Sequence, residues 1–91
     1  MMIKVRVVFL HRAGMLVPPD KRVVLLELPE GSTLKDLLKV ISDKVSKRLG
    51  EGVLEGRLVL NILVNGVATV NLKHELKDGD VIHFLTPEMG G

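Results

Sequence analysis

The 91-residue sequence contains no cysteine, tryptophan or tyrosine, and its aromatic residues are two phenylalanines, Phe9 and Phe84. Without cysteine there can be no disulfide framework, thiolate zinc site or cysteine nucleophile. The absence of cysteine also fits a reducing compartment. With so few aromatic side chains, the sequence lacks the stacking platforms that single-stranded nucleic-acid binders use.

Charge and long apolar runs are also limited. Thirteen basic and eleven acidic residues are interspersed and give a net charge of +2, whereas nucleic-acid binders usually carry a basic stripe. No apolar stretch is long enough to span a membrane, and the first residues lack a signal-peptide cleavage site. We expect a cytoplasmic protein with neither a nucleic-acid nor a membrane partner. The lack of cysteine and glutamine beside abundant Lys, Glu and Arg favours a thermophilic source.

No catalytic constellation is visible. The histidines at positions 11, 74 and 83 have no metal-ligand spacing, and no phosphate-binding glycine motif is present, so we expect no metal and no bound cofactor. Asp78 and Asp80 could act as an acid–base pair, but an Asp-Gly-Asp sequence before a strand more strongly indicates a turn. The chain therefore has no catalytic site of its own, and whether it works as part of an enzyme stays open.

Hydrophobic periodicity predicts one domain over residues 1–91. A long helix is expected over 33–49, because apolar side chains recur at helical spacing from Leu34 to Leu49. Thr33 and Asp36 have capping-box spacing, and Gly50 resembles a C-terminal stop signal. Loops are expected over 11–21 and 50–57. Strands are predicted over Ile3–Leu10, Arg22–Leu28, Leu58–Val64, Val67–Val70 and Val81–Leu85, with a tight turn at Asn65-Gly66.

This β-β-α-β-β-β order predicts an α+β fold with a ubiquitin-like β-grasp arrangement. A mixed sheet of four to five strands would hold the first and last strands parallel at its centre. One main helix would pack across one face.

Strand alternation then leaves a second apolar face, because successive side chains point to opposite sides of a sheet. A single helix covers one face, and a large exposed apolar patch usually marks a partner surface. The alternatives are that the 11–20 or 50–57 loop covers the patch, or that the protein self-associates. His83 is interpreted as a surface residue. The outward apolar residues are Val8, Leu10, Val23, Leu25, Leu63, Val81 and Leu85.

The sequence closes with a Gly-Gly pair, and residues 86–91 are expected to form a flexible tail. Gly90 and Gly91 have no side chains, so such a tail could enter a channel too narrow for a residue with a Cβ. Its carboxylate could then meet ATP in a partner's active site. A frayed chain end or an expression remnant is the alternative interpretation.

The order of the motifs MIKVRVVF, GSTLKDLLKVI, ILVNG and LKDGDVIHF before a final Gly-Gly resembles the MoaD/ThiS sulfur carriers and related ubiquitin-like modifiers. The resemblance spans nearly the whole chain. It implies that Gly91 is adenylated by a ubiquitin-activating-type enzyme that uses ATP and is then converted to a thiocarboxylate. It also implies that the tail and the open sheet face bind this enzyme.

The branch of the family is indicated less directly. Pro87 stands where molybdopterin-type members often carry a proline, which favours a large subunit of molybdopterin synthase as partner. Met89 replaces the usual small residue, and Thr86 replaces a frequent second proline. Thiamin-type sulfur transfer, conjugation to lysines through Gly91, and a β-grasp binding module with an inert tail remain alternatives. The predicted partner-binding residues are Val8, Leu10, Leu25, Leu63, Val81, His83, Leu85, Pro87 and Met89.

Overall fold

Alternating apolar residues build a five-stranded mixed sheet in the computed structural model, which describes residues 1–87. The strands lie in the order β2-β1-β5-β3-β4. β1 runs parallel to β5, and the other neighbours are antiparallel. The arrangement confirms the predicted β-grasp fold. The strand bounds are β1 Met2–Leu10, β2 Val23–Pro29, β3 Asn61–Val64, β4 Val67–Ala68 and β5 Val81–Leu85.

Two helices, α1 (Leu34–Lys44) and α2 (Lys47–Leu54), form the second layer. The α1 capping box is present as predicted, and the backbone and hydroxyl of Thr33 hold the pKa of Asp36 below its usual value. Within residues 1–87 no helix is long and apolar enough to cross a membrane. The core between the layers includes Val5, Val7, Phe9, Leu28, Leu37, Leu38, Ile41, Ile82 and Phe84.

The prediction of one helix over 33–49, followed by a loop over 50–57, was wrong. The backbone leaves helical geometry at Val45 and is extended at Ser46, whose φ is −154° and ψ 109°. The Ser46 hydroxyl accepts the Leu49 N–H at 3.1 Å and so caps a second helix. The same hydroxyl donates to the Leu16 carbonyl at 2.8 Å. Ser46 therefore starts α2 and ties it to the segment that follows β1.

Gly50 is not a helix stop, because it lies within α2 where that helix approaches α1. An ideal Cβ at Gly50 would lie 2.6 Å from the backbone N of Ser42. The third strand begins at Asn61 rather than Leu58, because the Leu58 N–H donates to the Gly52 carbonyl at 2.9 Å and closes α2. The fourth strand ends at Ala68 rather than Val70.

The predicted loop over 11–21 contains two short 3₁₀ helices, His11–Leu16 and Pro19–Lys21. Ala13 and Val17 are buried in the core, and the Lys21 ammonium donates to the Lys44 carbonyl at 3.0 Å. This segment therefore packs towards the helical layer.

We expect Gly50→Ala to lower the free energy of unfolding by about 1–3 kcal/mol, because the new methyl group meets the Ser42 backbone. Gly52→Ala is the matched control, since it gains the same helix propensity. Its Cβ would meet the side chain of Leu58 at 2.7 Å, which can rotate away, so the loss should be smaller. Urea unfolding measures both. Equal losses would contradict the close approach of the two helices at Gly50.

Candidate protein-docking face

The sheet face opposite the helices carries a row of side chains that crosses all five strands. Strand register places Val23 beside Val8, Val8 beside His83, His83 beside Leu63, and Leu63 beside Ala68. We call these five residues the central row. It brings together Val8, Leu63 and His83, which the sequence assigned to partner binding, as neighbours on one surface.

Two further rows flank the central row. On one side, Leu10 of β1 pairs with Leu85 of β5. On the other side, Arg6 of β1 lies between Leu25 of β2 and Val81 of β5. The apolar face predicted from alternation is therefore continuous across β2, β1 and β5.

The exposure of these side chains shows that residues 1–87 do not cover this face. Val23 is 57% exposed and Leu25 is 60% exposed, while Val8, Leu63 and Leu85 are half-buried. The segment over 11–21 packs towards the helical layer, and most of the segment over 50–57 belongs to α2. Loop cover, the first alternative considered from the sequence, is thus wrong for the described part of the chain.

His83 is half-buried at the centre of the face. Its Nδ1 is shielded from solvent and has no hydrogen-bond partner within residues 1–87. Its strand neighbours on this face are the aliphatic side chains of Val8 and Leu63. An unpaired buried polar atom lowers stability, so His83 is not explained by packing alone.

Asp78 and Asp80 form a structural turn rather than an acid–base pair. The Asp78 carboxylate accepts the Lys4 N–H at 2.8 Å. The Asp80 carboxylate accepts the Asn65 side-chain amide and the Lys77 N–H, both at 2.8 Å. Asn65 and Gly66 both have positive φ, at 51° and 82°, which is the geometry of the predicted tight hairpin turn.

The described residues hold no group of side chains suited to a metal ion. The absence of a bound cofactor stays a prediction.

The tail begins beside this face. β5 is paired on both sides, by β1 and β3, and ends at Leu85 next to Leu10. Thr86 and Pro87 follow and are half-buried. Met89, Gly90 and Gly91 lie outside the described residues, so their assigned roles stay predictions. Any partner that takes hold of the tail would therefore approach the apolar face next to it.

The sequence model of the ThiS family matches residues 17–91. A comparison with curated protein sequences finds no match. Among solved structures, one similar chain is described as subunit 1 of molybdopterin converting factor from Pyrococcus furiosus. It is 32% identical, with a TM-score of 0.70, and the match covers 93% of this chain and 98% of that one.

Two further structures are similar along the whole chain. A chain in a complex of subunits 1 and 2 of molybdopterin-converting factor from Helicobacter pylori is 31% identical. Its TM-score is 0.62, with 100% of both chains covered. Small archaeal modifier protein 1 from Methanosarcina acetivorans is 25% identical, with a TM-score of 0.70. That match covers 100% of this chain and 99% of the other.

We expect His83→Val to raise the free energy of unfolding by about 1 kcal/mol, because it removes an unpaired buried nitrogen. Valine also suits a strand position between aliphatic neighbours. His74→Val, in a segment outside the strands, is the control for loss of an imidazole. Thermal and urea unfolding measure the change. A loss of stability in His83→Val would show that the Nδ1 atom has a partner in solution.

Proposed function

Because the chain belongs to the ThiS family of ubiquitin-like sulfur carriers and modifiers, we propose that Gly91 is its reactive residue. A ubiquitin-activating-type enzyme that holds ATP adenylates the Gly91 carboxylate, and the product becomes a thiocarboxylate. The observation that carries the proposal is the bare apolar face, which borders the strand from which the tail departs.

The proposed chemistry needs only a carboxylate from this chain. A carboxylate oxygen of Gly91 attacks the α-phosphate of ATP, and pyrophosphate leaves. Sulfide supplied by the partner then attacks the carbonyl carbon of the mixed anhydride, AMP leaves, and after loss of one proton the thiocarboxylate remains. The partner supplies positioning and charge stabilisation. This division of roles agrees with the lack of a catalytic cluster in the sequence.

Docking and reaction are separated in space. The apolar face supplies buried area for recognition, and Gly90 and Gly91 supply a backbone without side chains that can enter a narrow channel. Leu85 connects the two, because it lies on the face and is the last residue of β5. A partner seated on the face would lie next to the end of β5, where the tail begins.

We assign the sulfur to molybdopterin synthesis, with a molybdopterin synthase large subunit as second partner. The similar chains from Pyrococcus furiosus and Helicobacter pylori, at 32% and 31% identity, support this branch. The Helicobacter pylori structure is itself a complex of subunits 1 and 2. Pro87, near the start of the tail, stands where molybdopterin-type members often carry a proline.

Conjugation to lysines through Gly91 is the second candidate. The observation that favours it is the full-length similarity to small archaeal modifier protein 1 at 25% identity. Both candidates need an adenylated Gly91, and they diverge in the nucleophile that takes the acyl group. Sulfur transfer gives a thiocarboxylate, whereas a lysine gives an isopeptide.

We expect the protein to gain the mass of one oxygen-to-sulfur exchange after incubation with ATP, a sulfur source and the activating enzyme. Deletion of Gly91 should abolish that gain without changing thermal stability, because the tail follows the last strand. Intact-mass spectrometry and a thermal melt measure the two effects. Gly90→Val keeps the carboxylate and adds a side chain at the penultimate position. It should also abolish the mass gain, because the side chain would block entry into a narrow channel.

If the mass of the free protein is unchanged and the protein is found attached to lysines of larger proteins, conjugation rather than sulfur transfer is its function. If neither the thiocarboxylate nor the lysine adduct forms, the reactive tail is refuted and the binding-module interpretation remains. A melt that falls with the Gly91 deletion would show that the tail is part of the folded domain.

We expect Leu63→Asp to weaken the complex with the activating enzyme, because it places a charge in the central row. Val23→Asp tests the same row at a side chain that is 57% exposed, so its effect on folding should be small. Val70→Asp is the matched control, since Val70 is 98% exposed and lies after β4. Titration calorimetry measures the affinities.

The docking assignment predicts that both row variants bind at least about tenfold more weakly than Val70→Asp, since an unpaired buried charge is costly at an interface. Equal affinity of the Val23 and Val70 variants would place the contact elsewhere on the protein.

A further inference from the structure

The docking face carries a cation next to its central row for which the proposed function has no role. Arg6 is exposed on β1, and its side chain points to the docking face between Leu25 and Val81. The ion pairs within residues 1–87 join Arg57 to Glu55 and Lys77 to Glu75. The Arg6 guanidinium therefore has no carboxylate within ion-pair distance in the described part of the chain.

The other charges at this end of the face lie around Lys4. Glu27 is directly opposite Lys4 in the β1–β2 register. The Asp78 carboxylate accepts the Lys4 N–H at 2.8 Å. Glu27 thus lies one residue pair further from the central row than Arg6, and Asp78 is held by the Lys4 backbone rather than by the Lys4 ammonium. Arg6 borders the central row and has no acid opposite it on β2 or β5. The Asp78 carboxylate lines the same hollow as Arg6 but forms no ion pair with it.

Arg6 and Val8 are two residues apart on the same face of one strand, which corresponds to about 6.8 Å along β1. A partner surface that covers Val8 at the centre of the face must therefore also reach the guanidinium. Docking would remove part of its water. A charge that loses water without gaining a counter-charge weakens binding, so a tight partner must supply one.

The geometry beside Arg6 has room for such a group. A shallow hollow of about 330 Å³ is lined by Lys4, Arg6, Leu25, Asp78, Gly79 and Val81. Guanidinium groups bind carboxylates through two parallel hydrogen bonds and carry less tightly bound water than ammonium groups. The charged lining of the hollow is two cations, Lys4 and Arg6, and one carboxylate, Asp78, so a partner carboxylate would meet a net positive charge there. Apolar side chains beside that carboxylate would contact the central row.

We propose that the face docks on a protein surface that places a carboxylate beside an apolar strip, and that Arg6 selects this partner. The proposal rests on the proposed function for the identity of the first partner, the activating enzyme. The apolar rows supply contact area that many proteins could match. The Arg6–carboxylate pair distinguishes the cognate surface from another apolar one.

The test is titration calorimetry of the full-length chain with the activating enzyme in the absence of ATP, so that docking is measured apart from chemistry. We expect Arg6→Glu to bind at least about tenfold more weakly, because it sets two acids against each other. Arg6→Lys keeps the charge and should fall between Arg6→Glu and the wild type. The wild-type affinity should fall with added salt more steeply than that of Arg6→Ala.

Lys47→Glu is the matched control, since it changes the net charge by the same amount. Lys47 is exposed at the first position of α2, in the other layer, where an acid is favourable. The affinity of Lys47→Glu for the activating enzyme should stay within about twofold of the wild-type value, as for a remote surface change. Thermal melts of each variant show whether the fold is kept.

Equal affinities of Arg6→Glu and Lys47→Glu would overturn the proposal, as would a salt response that Arg6→Ala leaves unchanged. A third outcome separates the two proposals. If the wild type docks and Arg6→Glu loses affinity, but the wild type gains no mass when ATP and a sulfur source are added, sulfur transfer is refuted and the role of Arg6 is supported. A wild-type chain that does not dock would contradict both.

Discussion

The parallel pairing of β1 with β5 is the constraint on which the rest of the structure depends. It joins the first strand to the last one described, so the chain between them must leave the sheet and return to it. The inner residues of the two strands form the centre of the core, where the Phe9 and Phe84 rings stack with centroids 5.5 Å apart. The same pairing places Leu10 beside Leu85, at the point where the tail begins. One contact between distant segments thus sets both the centre of the core and the position at which the tail begins.

The same arrangement leaves the outer face uncovered. Both helices and the 11–21 segment pack on one side of the sheet, and no described element crosses to the other. Isoleucine, valine and phenylalanine fill the inner positions of β1, while the outer positions include two basic residues, Lys4 and Arg6, followed by two aliphatic ones, Val8 and Leu10. A purely structural outer face could be polar throughout, as in many antiparallel sheets. Its aliphatic rows are therefore best explained by contact with another protein.

Local sequence was sufficient to predict which strand residues face the core. Period-two alternation identified the inner residues of β1 and β5, and the Asn65-Gly66 pair indicated its turn type. Sequence failed where a residue's role depends on a distant neighbour. Gly50 was interpreted as a helix stop, yet its lack of a Cβ serves the contact with Ser42. Ser46 did not stand out as a cap, because the apolar spacing continues on both sides of it.

Arg6 shows the same limit at the candidate site. Alternation placed it outward, but its significance appears only when β2 and β5 are both aligned with β1 and enclose it between Leu25 and Val81. His83 is similar, since its unpaired Nδ1 depends on the side chains that surround it across strands. Aliphatic rows can bind many surfaces of matching shape, whereas a guanidinium and an imidazole among them tolerate only partners with suitable polar groups. His83 at the centre and Arg6 at the edge of this apolar face are therefore most simply understood as the part of the surface that discriminates between partners.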